Sequence, residues 1–272
     1  MGKTRLDLLM EQKRMVESRS AAQRLIMAGQ VRVNEQIVFK PSSKVQTEDT
    51  IEILQPPPFV SRGGEKLLGA LEAFGLTDLQ GLVCVDVGAS TGGFTDCLLQ
   101  HGAAKVYAVD VGYGILHWKM RNHPQVVSME RTNARYVRGF EESIQLVTID
   151  ASFISLKTLL PVVKSWFIES SGSVIALIKP QFEAGRADAA KGEGVIRDTA
   201  VHTRVLEEVL EFSLQEGYEI RGLILSPLTG PKGNIEFLVY LKYPAEGKGT
   251  ASLWVKRIYP DTTQGEEPAN LS

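Results

Sequence analysis

Four ionisable residues, Lys66, Asp150, Lys179 and Glu236, each adjoin an apolar run that reads as a helix or a strand. Ligands of a doubly wound sheet bind outside the carboxyl ends of its strands, so side chains that follow such strands converge despite their separation in sequence. Two amines and two carboxylates at one rim suit a particular chemistry, in which a hydroxyl acceptor is aligned and loses its proton while an already activated group is transferred. No metal is needed for that. A lysine at its usual pKa near ~10.4 is a poor base at neutral pH. Neighbouring positive charge lowers that pKa and Asp150 opposes the effect, so the spacing fixes a geometry and leaves the sign of the net shift open. For Lys66 and Glu236 a surface ion pair is the competing reading.

The second chemical signature is Asp86 to Phe94, Asp-Val-Gly-Ala-Ser-Thr-Gly-Gly-Phe, directly after the apolar run Leu82-Val83-Cys84-Val85. A buried strand that ends in a glycine-rich turn and enters a helix exposes backbone N–H groups and lets a ligand approach closely. Lys105 to Asp110 then reads as a second strand. Its terminal carboxylate lies 24 residues after Asp86, where ribose hydroxyls of a cofactor need an acceptor. The dinucleotide fingerprint would require glycine where Ser90 stands, and the lysine of a phosphate-binding loop is absent. A nucleotide-type cofactor without phosphates, such as S-adenosylmethionine, fits this loop better. Asn133, after the third strand, either hydrogen-bonds the adenosine of that cofactor or caps a local turn.

These residues need elements to hold them. Strands are expected at Val83–Val87, Lys105–Val109, Val126–Met129, Leu146–Ile149, Ser173–Ile178, Gly222–Ser226 and Ile235–Lys242, with a long amphipathic helix over Thr199 to Glu216 and another opening the domain at Lys66 to Phe74. That rhythm is α/β, a Rossmann-like seven-stranded sheet. Upstream, residues 5–14 and a segment capped by Ser18 or Ser20 and ended by Gly29 read as two short helices. The second directs Arg19, Gln23 and Arg24 outward. A hairpin around Asn34-Glu35-Gln36 and a strand at Thr50 to Leu54 complete a small α+β module. The resulting division is an N-terminal module over 1–55, a proline-containing linker over 56–65, a main domain over 66–243 and a polar tail over 244–272. In that tail Leu253, Trp254, Val255, Ile258 and Tyr259 are able to dock. Glu183 to Asp198, rich in Gly, Ala and charge, is expected to be a mobile lid or a plain surface loop; as a lid, Arg186, Lys191 and Arg197 would meet phosphates.

Composition narrows the classes. The 272 residues are 43% hydrophobic and 23% charged with net charge −2, enough for one full core and a smaller domain. Residues 1–66 carry 11 Lys+Arg against 8 Asp+Glu, leaving 19 against 24 for the rest, so a modest basic excess is N-terminal. No apolar run reaches the ~18 residues needed to span a bilayer, and Met1 to Arg5 lacks a secretory core, so a cytoplasmic protein without a membrane partner is expected. Cys84 and Cys97 sit in a strand and the following helix, where packing is their expected role. The four histidines show no metal-ligand spacing.

Ser18-Arg19-Ser20-Ala21-Ala22, Ala28 to Asn34 and Lys40-Pro41-Ser42 resemble the RNA-binding domain of ribosomal protein S-four and pseudouridine synthases. That resemblance implies RNA contacts at Arg5, Arg19, Arg24 and Lys40. Glu35 departs from it, standing where the family usually has glycine, and so implies a strained or altered turn. Ser61 to Lys66, the Asp86 loop, Val109 to Gly114, Asp150 to Leu156, Leu177 to Phe182 and Gly233 to Glu236 together resemble the TlyA family, often labelled hemolysin A, of ribosomal RNA 2′-O-methyltransferases with an FtsJ-like catalytic domain. The resemblance implies a catalytic tetrad at Lys66, Asp150, Lys179 and Glu236. It implies S-adenosylmethionine held by Asp86, Gly88, Ala89, Ser90, Thr91, Gly92, Gly93, Phe94, Asp110, Val111 and Asn133, and cytidine ribose in ribosomal RNA or ribosomal subunits as acceptor. Two other classes compete: an RNA-binding assembly factor with a vestigial cofactor fold, and a membrane-lytic protein, for which the sequence offers no spanning helix.

Overall fold

The computed structural model describes the chain except residues 1–2, 55–56, 168–170, 186–187, 189–191, 231, 248 and 261–272. It divides into two compact units, residues 1–57 and 58–272.

In the first unit β1 (Thr4–Arg5) leads into α1 (Leu6–Gln12), and α2 (Arg19–Met27) follows with Ser18 as its N-cap, the Ser18 hydroxyl accepting from the Ala21 N–H. Then come β2 (Val31–Val33), β3 (Gln36–Ile37), β4 (Lys44–Val45) and β5 (Ile51–Ile53). β2 pairs antiparallel with β3 and β5, and β1 with β4. Leu6, Leu9, Met10, Ala22, Ile26, Val31, Val33 and Val45 form its core. Asn34 and Glu35, the two residues between β2 and β3, both have positive φ, +46° and +67°, so Glu35 occupies the strained turn position where the sequence lacks the glycine of the family.

The second unit is a seven-stranded sheet. α3 (Gly63–Phe74) comes first, three residues ahead of the helix start expected at Lys66. β6 (Val83–Val87), α4 (Gly93–Gln100), β7 (Lys105–Val109), α5 (Trp118–Arg121), β8 (Val126–Met129), β9 (Leu146–Ile149), α6 (Leu156–Lys164), β10 (Gly172–Ile178), α7 (Pro180–Glu183), α8 (Thr199–Gln215), β11 (Glu219–Leu225), β12 (Phe237–Tyr243) and α9 (Ala251–Ile258) follow. The strand order is β11-β12-β10-β9-β6-β7-β8; neighbours from β10 to β8 run parallel, and β12 is antiparallel to both β10 and β11. The parallel strands carry unbroken apolar runs because both sheet faces are covered. One face packs on α6, α8 and α9 through Val147, Leu160, Val205, Leu206 and Val255. The other packs on α3 and α4 through Leu67, Leu71, Phe94 and Leu98.

α9 is the part of the C-terminal stretch whose apolar residues dock. Ala251 and Val255 are buried, and the Tyr259 hydroxyl lies 2.9 Å from Nδ1 of the buried His202, so an apolar stripe within a polar stretch docks on α8. Of the lid residues, Arg186 and Lys191 lie outside the described residues. Further along, Ile196 N–H donates to Asn234 Oδ1 and Asn234 Nδ2 donates to the Gly194 carbonyl, which ties that segment to the turn before β12. Cys84 and Cys97 are free and buried, and burial pushes both thiols up to about 12.

Candidate active site

The chain leaves β6 outward to β7 and β8, then returns to β9 on the other side of β6 and continues to β10. The sheet therefore reverses direction of growth between β6 and β9, the point at which such sheets open a crevice for ligands. Gly88 follows β6 and Asp150 follows β9, and they meet there. A Cβ on Gly88 would stand 2.7 Å from the Asp150 carbonyl oxygen, and Gly88 has φ +81°, so only glycine fits.

Two cavities flank that meeting point. The larger, about 460 Å³, is walled by Gly88, Ser90, Asp110, Val111, Asn133 and Asp150, together with apolar side chains that include Ile115 and Leu159. Its size falls within the ~300–1,000 Å³ usual for small-molecule sites. The smaller, about 210 Å³, is lined by Lys66, Ala89, Thr91, Gly93, Phe94 and Asp150, and also by Ser61, Arg62, Gly63, Leu228 and Thr229. Gly88, Ser90 and Asp150 border both. Gly93 is a second enforced glycine, since a Cβ there would meet Ser61 Oγ at 2.3 Å and the Gly64 nitrogen at 2.8 Å.

Asp110 anchors the glycine loop. Its Oδ2 accepts from the Ser90 N–H at 2.8 Å and its Oδ1 from the Gly112 N–H at 2.7 Å, and each oxygen keeps a further lone pair for a ligand. Asn133 does cap a turn, accepting from the Arg135 N–H at 3.1 Å, while also bordering the larger cavity. Gly92 has φ +93° and serves as N-cap of α4.

Asp86 is corrected. Its side chain is fully buried and lines neither cavity, and its carboxyl accepts from Thr95 Oγ1 at 2.6 Å and Thr148 Oγ1 at 3.1 Å. Burial pushes the Asp86 carboxyl up to about 7, aided by Asp150 and opposed by the two hydroxyls. Its position within a strand between β7 and β9 makes it a support beneath the loop, out of reach of a ligand.

The four ionisable residues come together as two ion pairs. Lys66 Nζ lies 2.6 Å from Glu236 Oε2, with both side chains almost entirely buried. Lys179 Nζ lies 2.5 Å from Asp150 Oδ1 and donates to Ser152 Oγ at 3.2 Å. Asp150 Oδ1 is buried against that ammonium. Asp150 and Lys179 adjoin because they follow neighbouring parallel strands, Ala176 of β10 pairing with Ile149 of β9. Glu236 reaches the same rim because β12 runs antiparallel and starts beside the end of β10, Phe237 opposite Ile178. Lys66 lies near the start of α3, the helix on that face. Gln181 Nε2, 3.4 Å from Glu236 Oε1, links the Lys179 turn to the Lys66–Glu236 pair. The competing surface-pair reading of Lys66 and Glu236 fails on burial. Among the described residues no cluster of metal-ligating side chains occurs.

In the N-terminal unit the RNA-contact candidates split. Arg24 and Lys40 are exposed. Arg5 and Arg19 instead converge on Asp7, a fully buried carboxylate: Arg5 donates through Nε and Nη2 and Arg19 through Nε, all at 2.9 Å. Gln23 Nε2 joins them at 2.9 Å, so Arg19 stays exposed as the helical spacing suggests while its Nε and the half-buried Gln23 amide are held by Asp7. The Arg5 guanidinium, more than the burial that opposes it, holds Asp7 well below the usual carboxylate range. A lone Asp in a helix gives no such signal in sequence. Leu228 and Thr229 of the smaller cavity were likewise missed, lying between two strands without a motif.

A family model described as FtsJ-like methyltransferase matches residues 59–243, and one described as S4 domain matches residues 4–51. The chain belongs to the FtsJ-like methyltransferase family. It is 40% identical over 244 residues to a "16S/23S rRNA (cytidine-2'-O)-methyltransferase TlyA" of Mycobacterium tuberculosis, covering 88% of this chain and 90% of that one. It is 43% identical over 241 residues to a "Hemolysin A" of Brachyspira hyodysenteriae, covering 87% and 98%. A solved structure of a hemolysin-named protein from Streptococcus thermophilus aligns at TM-score 0.70 with 39% identity, covering 94% of this chain and 96% of that one. This FtsJ-like chain is thus an enzyme that transfers methyl groups, carrying an S4 domain at its N-terminus. Among its described residues no helix is long and apolar enough to cross a membrane.

Proposed function

We propose that this protein is an S-adenosylmethionine-dependent 2′-O-methyltransferase of ribosomal RNA, with cytidine ribose as acceptor and Lys179 aiding removal of the 2′-hydroxyl proton. The observation that carries the reading is the position of Asp150, paired with Lys179 and standing on the wall between a cofactor-sized cavity and a smaller one flanked by Lys66. The names of the TlyA relatives supply the acceptor.

The larger cavity fits S-adenosylmethionine by its chemistry. Its loop offers a glycine cradle at Gly88 without a phosphate-binding lysine, Asp110 retains lone pairs for ribose hydroxyls, and Val111, Ile115 and Leu159 give apolar walls for a base. When bound, the cofactor supplies a methyl group already activated by its sulfonium. The protein's part is then alignment and proton removal. Asp150 orients the Lys179 amine through Oδ1, and its other carboxylate oxygen accepts from the ribose hydroxyl. Lys179, beside that carboxylate, aids removal of the proton. The Lys66–Glu236 pair braces the opposite side of the smaller cavity, where a buried pair left half-made would be costly.

In the N-terminal unit, exposed Arg24 and Lys40 meet RNA phosphates, and Arg5 and Arg19 present the guanidinium N–H groups that Asp7 leaves unused. The substrate places this activity in the cytoplasm, with ribosomal subunits. The test is incubation of ribosomal subunits with methyl-labelled cofactor and either the wild-type protein or Lys179→Ala. Label is expected in RNA with the wild type and a loss of at least about 10²-fold with the variant; equal labelling would refute the role of Lys179.

A further inference from the structure

Two segments carry the Asp150–Lys179 pair: the loop from Asp150 to Ser155 that leads into α6, and the single turn of α7 that follows Lys179. They are joined at three places. At the site itself Lys179 meets Asp150 and Ser152. Next, the rings of Phe153 and Phe182 lie 4.8 Å apart. Last, the Glu183 carboxylate accepts from Ser155 Oγ at 2.6 Å and from the Leu156 N–H at 2.7 Å.

The third join bears most on geometry. Ser155 is the N-cap of α6 and its hydroxyl oxygen already accepts from the Lys157 N–H, so its proton requires an acceptor elsewhere, which Glu183 supplies. A second free N–H at the start of α6 is satisfied by the same carboxylate. Glu183 is part-buried, and burial raises its carboxyl above the ordinary range against the pull of Ser155, Leu156 and Lys157. An acid held at such a desolvation cost, four residues after Lys179 and bonded to the residues five and six after Asp150, fixes the distance between the two segments. The loop needs such a hold, because Phe153 sits at φ +63°, a conformation an aromatic residue adopts only under constraint.

We propose that Glu183 is a positioning residue for methyl transfer: it locks the Asp150 loop onto the Lys179 turn and so sets the alignment of that pair at the rim. The inference rests on the reading that this pair handles the acceptor's proton. A misplacement of about 1 Å at a reacting centre can cost about 10²-fold in rate while leaving distant binding contacts intact.

The test is single-turnover methylation of ribosomal subunits by the full chain, comparing wild type, Glu183→Ala, Glu183→Gln, Ser155→Ala and Lys179→Ala, alongside cofactor Kd and half-saturating RNA concentration. Glu183→Ala is expected to lower the rate constant at least about tenfold while half-saturating RNA concentration stays within about twofold, because the N-terminal unit is untouched; cofactor Kd, whose cavity is walled in part by Asp150 to Ile154, is expected to rise by much less than the rate falls. Glu183→Gln, whose carbonyl still accepts from the Leu156 N–H, is expected to recover part of that rate. Should Glu183→Ala melt below the assay temperature, Ser155→Ala, which removes one of the two bonds, is expected to lower the rate about threefold with a smaller change in cofactor Kd and unchanged RNA binding. An undiminished rate in the folded Glu183→Ala, or in Ser155→Ala where Glu183→Ala does not fold, overturns the inference, as does a loss matched by an equal loss of cofactor binding. Full activity of Lys179→Ala would overturn the assignment of the pair and this inference with it, whereas failure confined to the Glu183 and Ser155 variants overturns the inference alone.

Discussion

At the scale of single residues the site depends on where charge and bulk are excluded. Gly88 has no room for a methyl group against the Asp150 carbonyl, so Gly88→Ala is expected to displace the β9 loop and abolish detectable cofactor binding in a calorimetric titration, with the melt of the N-terminal unit unchanged. Asp86 has a different effect. Its folded pKa, about 7, lies above the ordinary 3.8, so the folded chain holds that proton more tightly than the unfolded chain. Its contribution to stability is full below the unfolded value and is lost as pH rises through about 7. Asp86→Asn stays neutral and still accepts one hydroxyl. Its melting temperature relative to wild type is therefore expected to improve as pH rises from about 4 to about 7 and to level off above that, and a constant difference would contradict the burial argument. The types and order of Lys66, Asp150, Lys179 and Glu236 made their convergence at one rim legible from sequence. Their arrangement as two separate pairs was not, because pairing depends on strand register and on β12 running antiparallel.

At the scale of elements the sheet was legible because six of the seven strands are apolar runs bounded by turn residues, and their ends in the structure differ from expectation by at most three residues. α6 was not assigned because Pro161 stands inside it, although Leu156, Leu159, Leu160 and Val163 keep helical spacing, and α9 was legible as apolar residues able to dock within a polar stretch, without its helix. Burial also changed roles that periodicity had assigned. Gln23 lies on the outer side of α2 by spacing, yet it is half-buried and joins exposed Arg19 in satisfying the buried Asp7. The β2–β3 turn is the element whose local chemistry opposes its geometry. Relieving the positive φ of Glu35 with Glu35→Gly is expected to stabilise the N-terminal unit by about 1 kcal/mol, read as slower hydrogen exchange of the Val31 to Ile37 amides in the full chain. Unchanged or faster exchange would show that the turn carries no strain.

At the scale of the whole molecule the proposed reading has one unit bind RNA and the other transfer the methyl group. Net charge is −2, so RNA affinity cannot come from the overall field and must come from local contacts. Arg24→Ala and Lys40→Ala are each expected to weaken binding to ribosomal subunits and to reduce the slope of log affinity against log salt by about one, while leaving cofactor Kd unchanged. An unaltered slope would move the RNA contact elsewhere. The central claim is that the methyl group goes to a ribose oxygen at the rim where β6, β9 and β10 end. It is tested most directly by digesting ribosomal RNA, methylated in vitro by the full chain, to nucleosides and locating the labelled methyl by mass spectrometry. The expected product is 2′-O-methylcytidine, formed by the wild type and lost with Lys179→Ala; label on a base carbon or nitrogen, or label that persists in the variant, would contradict the account.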